Sequence, residues 1–138
     1  MRVQDVMSTE VVTIGPRQTL AEVHRIMNAE GVRHLPVVEG GQLLGLLTQR
    51  DLHLVETLDA VEPEEVLVDE VMVRDVYAVD PDAPLAEVLR EMERRRVGSA
   101  VVLRERQPVG IFTTSDALRA LRGVLEEQEE RAGAGGTS

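Results

Sequence analysis

Apolar positions along this chain follow two spacings, and the alternation between them predicts the secondary structure. Runs of consecutive apolar residues, typical of buried strands, alternate with stretches in which apolar residues return every three or four positions, as on one face of a helix. The predicted strands are residues 11–14, 35–38 and 43–47, and then 76–79, 100–103 and 109–112. The predicted helices begin near residues 19 and 48, and again near residues 84 and 113. Each half of the chain is therefore predicted to have the order β-α-β-β-α.

Local signals agree with these boundaries. Thr19 and Glu22 have the spacing of a capping box, and Pro84 opens the corresponding helix of the second half, where its missing N–H costs little. Gly40 and Gly41 favour a tight turn within the first pair of hairpin strands. After residue 125 the sequence becomes rich in Glu and then in Gly. We expect an acidic helix end there, followed by a disordered tail from residue 133.

The second half of the chain repeats the first. A shift of 65 positions brings seventeen residues onto their own type without a gap, where average composition would give about three or four. One copy is too small to bury a good core alone, so the two copies should pack on each other about a pseudo-twofold axis, with a cleft between them. The predicted organisation is repeat one over residues 1–58, an acidic linker over 59–67, repeat two over 68–125, and the helix end and tail over 126–138. The predicted fold class is α+β.

Composition narrows the range of partners. The net charge of −10 argues against nucleic acid and against an anionic membrane surface, both of which attract positive proteins. All fifteen basic residues are Arg, whose guanidinium group suits bidentate phosphate contacts. The absence of Cys excludes disulfides and thiolate metal sites. No apolar run is long enough to cross a bilayer or to act as a signal peptide, so we expect a cytoplasmic protein.

The sharpest local motif occurs in both repeats at the end of the second hairpin strand. Gly45-x-x-Thr48-x-x-Asp51 is matched by Gly110-x-x-Thr113-x-x-Asp116. One interpretation is a helix N-cap followed by an acid in the first turn. The other is a ligand site, in which the carboxylate accepts hydrogen bonds from ribose hydroxyls and the Thr hydroxyl and free helix N–H groups bind phosphate. In that interpretation the glycine lets a flat base approach the backbone.

A second candidate lies just before the first hairpin strand. His34 follows Arg33, and the two make a small basic step in an acidic chain, as a phosphate would require. The second repeat has Gly98 and Ser99 at the equivalent positions, so the two clefts should differ in charge. No nucleophile with a nearby base, metal-ligand cluster or Gly-rich phosphate loop is visible, so we expect no catalysis. Of the functions considered (ligand sensor, interaction scaffold and enzyme), a small hydrolase acting on nucleotides is the weakest hypothesis.

Taken together, these motifs resemble the cystathionine-beta-synthase (CBS) domain family. The resemblance rests on the Val3-x-Asp5-Val6-Met7 opening, Val12-Thr13-Ile14-x-Pro16, His34-Leu35-Pro36-Val37-Val38, the Thr-x-x-Asp motif, and their second copies, and it covers residues 3 to about 120. It implies a pair of β-α-β-β-α CBS repeats, or Bateman module. The expected ligands are adenosine compounds (AMP, ADP or ATP in preference to S-adenosylmethionine or NAD) with no cofactor required. The expected partners are a second copy, forming a disc of four repeats, and a regulated protein whose identity is open.

The resemblance also assigns candidate ligand-binding residues to two clefts. Asp51 and Asp116 would bind ribose, and Thr48 and Thr113 would bind phosphate, with Arg50 and Ser115 as further polar contacts. Each cleft would borrow residues from the other repeat. Cleft one would combine His34, Thr48, Arg50 and Asp51 with Ala78, Val79 and Gly98, and cleft two would combine Ser99, Thr113, Ser115 and Asp116 with Thr13, Ile14 and Arg33. The alternative is a scaffold without a ligand, in which the Thr-x-x-Asp motifs only cap helices.

Overall fold

A computed structural model describes residues 1–135 of the chain and the side chains of residues 1–133. A short 3₁₀ helix (Val3–Asp5) opens the chain. The first half then contains α1 (Leu20–Glu30), β1 (His34–Glu39), β2 (Gln42–Thr48) and α2 (Gln49–Glu56). The second half contains α3 (Val68–Val71), β3 (Ala78–Val79), α4 (Leu85–Arg95), β4 (Ser99–Arg104), β5 (Gln107–Thr113) and α5 (Thr114–Gly135). The α+β class is confirmed.

The helix starts agree with their sequence signals, with one difference in detail. The Thr19 side chain caps α1 by accepting a hydrogen bond from the backbone N–H of Glu22 at 3.2 Å. The Glu22 carboxylate instead accepts from the side-chain amide of Gln18 at 3.3 Å, so one half of the capping box is used differently. Pro84 occupies the N-cap of α4. Thr48 caps α2 in the same manner as Thr19.

The first predicted strand, residues 11–14, is wrong as a strand: only Ile14 forms a bridge, to Val37 of β1. Its counterpart in the second repeat is a true strand, because Ala78 and Val79 of β3 pair in parallel with β4. The difference lies at Pro36, which has no backbone N–H and cannot extend the ladder toward residue 12. The equivalent residue, Val101, donates its N–H to the carbonyl of Tyr77 at 3.0 Å.

Both hairpins form as predicted, but they turn with different residues. β1 pairs antiparallel with β2, and β4 with β5. In the first turn Gly40 and Gly41 have φ of +59° and +80°, the left-handed pair that a type I′ turn requires. In the second turn Glu105 and Arg106 adopt the same conformation, at +54° and +68°. The second hairpin therefore carries backbone strain that the first avoids.

The core is divided into two clusters, and each contains a short segment from the other half of the chain. The cluster under β1 and β2 includes Val68 and Met72, whereas the cluster under β4 and β5 includes Val3. The crossing is reinforced by backbone pairing. Residue 73 exchanges two hydrogen bonds with Leu46, both 2.9 Å, and Ser8 does the same with Ile111 at 2.8 and 2.9 Å. The two repeats are therefore interleaved.

Residues 59–67, predicted as an exposed linker, are held against α1. The carbonyl of Pro63 accepts from the N–H of Ala21, and that of Val66 from the N–H of Leu20, each at 3.0 Å. Both bonds fall in the first turn of α1, where backbone N–H groups lack helical partners. The segment therefore contributes to the start of a helix as well as connecting the repeats.

The C-terminal helix is longer than the sequence pattern predicts. α5 continues to Gly135, so the prediction of a disordered tail is wrong for residues 133–135, while residues 136–138 lie outside the described part of the chain. Ion pairs one turn apart join Arg122 to Glu126 and Arg131 to Glu127, at 3.8 and 3.6 Å, a spacing that favours helix. Over residues 1–135, no helix combines the length and the apolar character that a bilayer crossing demands.

Candidate functional site

A cleft of about 670 Å³ lies between the two halves of the chain, within the range of small-molecule sites. One wall is formed by the end of β2 and the start of α2, and the other by residues that precede β3 and β4. The lining residues are Arg33, His34, Leu46, Thr48, Gln49, Arg50, Asp51, Leu54, Val73, Asp75, Val76, Tyr77, Arg96, Val97, Gly98 and Ser99.

Most of the side chains predicted for cleft one are brought together here. His34, Thr48, Arg50 and Asp51 line the cleft, together with Gly98 from the other repeat. Arg33 and Ser99, predicted for cleft two, also lie in this lining. Ala78 and Val79 do not; they form the short strand β3, and the cleft is lined instead by residues that precede them.

Thr48 and Asp51 make a reciprocal pair at the start of α2. The Thr48 hydroxyl oxygen accepts from the backbone N–H of Asp51 at 3.2 Å, and its O–H donates to Oδ2 of Asp51 at 2.8 Å. Thr48 therefore does cap the helix, as the simpler interpretation of the motif predicts. The capping hydroxyl also orients the carboxylate. A carboxylate accepts up to about four hydrogen bonds, and this one accepts a single bond from the described residues.

His34 contributes a buried polar atom with no partner. Its Nδ1 is the single buried side-chain nitrogen or oxygen without a hydrogen bond over the described residues. The ring packs against Gly98, where an added Cβ would lie 3.3 Å from Cε1 of His34, so glycine makes room for it. Burial, and secondarily the charge of Arg33, lower the pKa of His34 below its ordinary value. The imidazole is therefore held neutral.

The charge of the cleft differs from that of the whole chain. Arg33, Arg50 and Arg96 face two carboxylates, Asp51 and Asp75, in a chain of net charge −10. Arginines concentrated in one concave site attract anions more strongly than the same charges dispersed over a surface. The cleft is therefore suited to a ligand with a negative group at one end and hydroxyls near Asp51.

Several lining residues were missed by sequence reasoning. The segment predicted to cross from repeat two was residues 78–79, but residues 73–77 fill that role. The missed set comprises Leu46, Gln49, Leu54, Val73, Asp75, Val76, Tyr77, Arg96 and Val97. The available signal was the repeat itself, because the Val3-to-Met7 motif recurs at residues 68–72. Each of these segments crosses between the halves, and the residues that follow the second one pass along the cleft.

The two strand glycines do not provide the predicted approach for a flat base. A Cβ added at Gly45 would lie 2.7 Å from Sδ of Met72 and 2.8 Å from the carbonyl oxygen of residue 73. At Gly110 the side chain of Met7 takes the equivalent position. Both glycines are needed because a methionine of the crossing segment packs on the strand, so this prediction is corrected.

The residues predicted for cleft two are dispersed. Asp116 is 3 % exposed, Ile14 is a core residue, and Thr13 and Ser115 lie at the surface. Thr113 accompanies Asp116 at the end of β5. The groove of about 370 Å³ that reaches Asp116 is lined by the N-terminal segment and α5, and neither Arg33 nor Ser99 is part of it.

Comparison with known proteins identifies the repeats. The family model described as CBS domain matches residues 3–55 and again 68–123. The CBS domain-containing protein YhcV of Bacillus subtilis is 32 % identical over 114 residues, which cover 83 % of this chain and 81 % of YhcV. Two other relatives are longer proteins, of which this chain spans 42 % and 45 %.

Solved structures agree with this comparison. AcuB from Vibrio cholerae superposes with a TM-score of 0.83 at 34 % identity, covering 94 % of this chain and 96 % of that one. The CBS domain pair of protein MJ0100, in complex with 5′-methylthioadenosine and S-adenosyl-L-methionine, superposes with a TM-score of 0.82 at 26 % identity, covering 89 % and 97 %. The predicted tandem organisation is therefore confirmed.

Proposed function

Because the chain belongs to the CBS domain family, we propose that it is a regulatory sensor. It binds an adenosine-containing ligand in the cleft between its repeats and controls a partner protein in trans. The observation that carries the proposal is the cleft itself, where an oriented carboxylate, a buried histidine and three arginines converge between the two halves of the chain.

The roles of the residues follow from their chemistry. The Asp51 carboxylate is held by Thr48 and has unused acceptor capacity, so it accepts hydrogen bonds from the two ribose hydroxyls. Arg33, Arg50 and His34 bind the phosphate end. The neutral imidazole of His34 contributes one ring N–H as a donor at this end.

The balance of charge in the cleft favours phosphate-bearing ligands. The MJ0100 pair binds S-adenosyl-L-methionine and 5′-methylthioadenosine, the first of which carries a positive sulfonium. The arginines of the present cleft oppose a cation and favour AMP, ADP or ATP. We therefore propose that this chain has the family's adenosine chemistry with a preference for anionic members.

A thermal-shift and calorimetric screen tests the function directly. AMP, ADP, ATP, S-adenosylmethionine and 5′-methylthioadenosine are each added at up to millimolar concentration. A ligand at a hundredfold excess over its Kd stabilises the fold by about 2.7 kcal/mol, which moves the Tm of a chain this size by several degrees. The phosphate-bearing compounds should raise the Tm most. No shift and no heat with any of them would overturn the proposal.

Asp51→Asn separates the sensor from a ligand-free scaffold. Loss of the charged acceptor should weaken nucleotide binding about ten- to a hundredfold, as expected for one charge-assisted hydrogen bond of roughly 1.5–3 kcal/mol. Asp59→Asn, an exposed substitution in the segment between repeats, is the matched control and should bind as the parent does. If Asp51→Asn lowers the Tm and leaves the nucleotide response unchanged, the scaffold is correct.

We further propose that the partner surface for a second copy is the apolar face of α5. Leu118, Leu121 and Leu125 lie on one face of this helix and are 64 %, 55 % and 47 % exposed. Pairing that face with its own copy would remove leucines from water, which is favourable by about 25 cal/mol per Å² of apolar area. Light scattering should give a dimer for the parent chain and a monomer for Leu121→Glu; a parent monomer would exclude this arrangement.

A further inference from the structure

The two equivalent aspartates have different hydrogen-bonding capacity left over. Oδ1 of Asp116 accepts from the Ser8 hydroxyl at 2.9 Å and from Nη1 of Arg119 at 3.0 Å. Its Oδ2 accepts from the backbone N–H and the hydroxyl of Thr113, at 2.9 and 3.2 Å. Four donors fill the acceptor sites of a carboxylate. From residues within the described range, Asp51 accepts one bond, donated by Thr48.

Two positions account for the difference. A shift of 65 residues places Ser8 on Val73 and Arg119 on Leu54. Val73 and Leu54 line the cleft next to Asp51 but cannot donate a hydrogen bond. Ser8 and Val73 have the same backbone setting, since each forms a two-bond bridge with the strand beside it. The side chains at these positions therefore decide whether the neighbouring carboxylate is already hydrogen-bonded within the protein.

We infer that this chain has one competent nucleotide cleft, at Asp51, and that Ser8 and Arg119 close the second one at Asp116. The inference rests on the proposed function and adds the number of sites and the residues that determine it. Asp116 is 3 % exposed and is held by donors from three elements: the N-terminal segment, β5 and α5. A ribose would have to displace several of these donors at once.

Arg119 is the weakest of the closing contacts, because its side chain is 63 % exposed and free to swing outward. Its departure would still leave three bonds to Asp116, two of them from Thr113 and one from Ser8. Ser8 is fixed by its backbone bridge to Ile111. Closure is therefore a property of the folded backbone as well as of one mobile side chain.

Titration calorimetry with AMP, ADP and ATP on the full chain counts the sites. One molecule of nucleotide per chain is expected, and Asp51→Asn should weaken that single binding event at least tenfold. Two nucleotides per chain would overturn the inference and leave the proposed function standing. No heat with any of the three would overturn the proposed function and the inference with it.

Exchange of the two deciding residues between the clefts gives a matched pair of tests. Ser8→Val with Arg119→Leu should open the second cleft and raise the stoichiometry above one per chain. Val73→Ser with Leu54→Arg should close the first cleft and weaken binding at least tenfold. Added positive charge alone would strengthen phosphate binding, so the sign of the second result identifies closure.

Circular dichroism checks the folding of each variant; Val73, Leu54 and Arg119 are largely at the surface, and Ser8 is half-buried. A stoichiometry that stays at one in the Ser8→Val, Arg119→Leu chain would overturn the assignment of closure to these residues. Unchanged affinity in the Val73→Ser, Leu54→Arg chain would do the same.

Discussion

At the scale of single residues, identical side chains 65 positions apart have different surroundings. The sequence predicts Asp51 and Asp116 as a pair, and both are found at helix starts. Their difference depends on two pairs of positions. Arg119 and Leu54 lie one helical turn after the aspartates, whereas Ser8 and Val73 belong to the segments that cross between halves, and only that crossing brings them to the aspartates. Sequence patterns identify such local pairs well and long-range neighbours poorly.

The strand glycines give a prediction with an internal control. Gly45→Ala should destabilise the chain by about 1–3 kcal/mol, the range for overpacking, because the obstacle includes a backbone carbonyl fixed by a bridge. Gly110→Ala should cost less, since its close neighbours are atoms of the flexible Met7 side chain. Urea unfolding measures both. A larger loss at Gly110 than at Gly45 would contradict this explanation.

His34 should make the stability of the free protein dependent on pH. Burial and Arg33 lower its pKa in the folded state, while Asp51 opposes them. Near pH 6.5 and below, the unfolded chain therefore binds a proton that the folded chain resists. The contribution of His34 to the free energy of unfolding is therefore complete above about pH 6.5 and is lost as the pH falls below it.

The measurement compares the parent with His34→Gln by urea unfolding between pH 7.5 and 5.5. The stability of the parent relative to the variant should decrease as the pH falls. His53→Gln, at an exposed histidine of α2, controls for the loss of a histidine. A relative stability that is constant or increases toward acid would show that His34 does not resist protonation.

At the scale of elements, helices and hairpins follow the pattern of apolar positions, and the first predicted strand does not. Residues 11–14 have the composition of a strand, but Pro36 on the neighbouring strand removes the N–H that a ladder requires. The pattern along one segment does not report the donors of the segment beside it. The extent of α5 was also missed. Its last turns are rich in Glu and Gly, a composition that predicts a chain end without structure, yet the helix continues through them to Gly135.

The difference between the two hairpin turns predicts that a turn sequence suited to left-handed backbone will stabilise the second hairpin. Glu105→Asn with Arg106→Gly should stabilise the chain by about 1 kcal/mol, because left-handed backbone costs roughly 1–2 kcal/mol per ordinary residue and a more flexible unfolded chain offsets part of that. Gly40→Glu with Gly41→Arg should have the opposite effect on the first hairpin. Thermal unfolding measures both; equal Tm values for all three chains would contradict the strain.

At the scale of the whole molecule, the repeats of the sequence are not the packing units of the structure. Val3 lies in the core of the second half and Val68 in the core of the first, and each is fully buried. The duplication was evident from the sequence and predicts two similar folds. It does not reveal which copy of a segment packs on which half, because either choice satisfies the same apolar pattern.

Hydrogen exchange can detect this crossing. Val3→Ala should cost about 2 kcal/mol, from buried methyl groups and the cavity they leave, and should reduce amide protection chiefly in β4 and β5. Val68→Ala should reduce it chiefly in β1 and β2. The opposite result would contradict the interleaved core: Val3→Ala would then reduce protection in β1 and β2, and Val68→Ala in β4 and β5.

The crossing also affects the order in which the chain can fold as it leaves the ribosome. The hydrophobic cluster that contains β1 and β2 stays incomplete until Met72 has been made. Val3, synthesised well before that point, has no core to join until Phe112 of β5 emerges. Contacts between residues this far apart slow folding. During translation, therefore, the segment around Val3 stays exposed until β5 has been made, and its packing completes the second half.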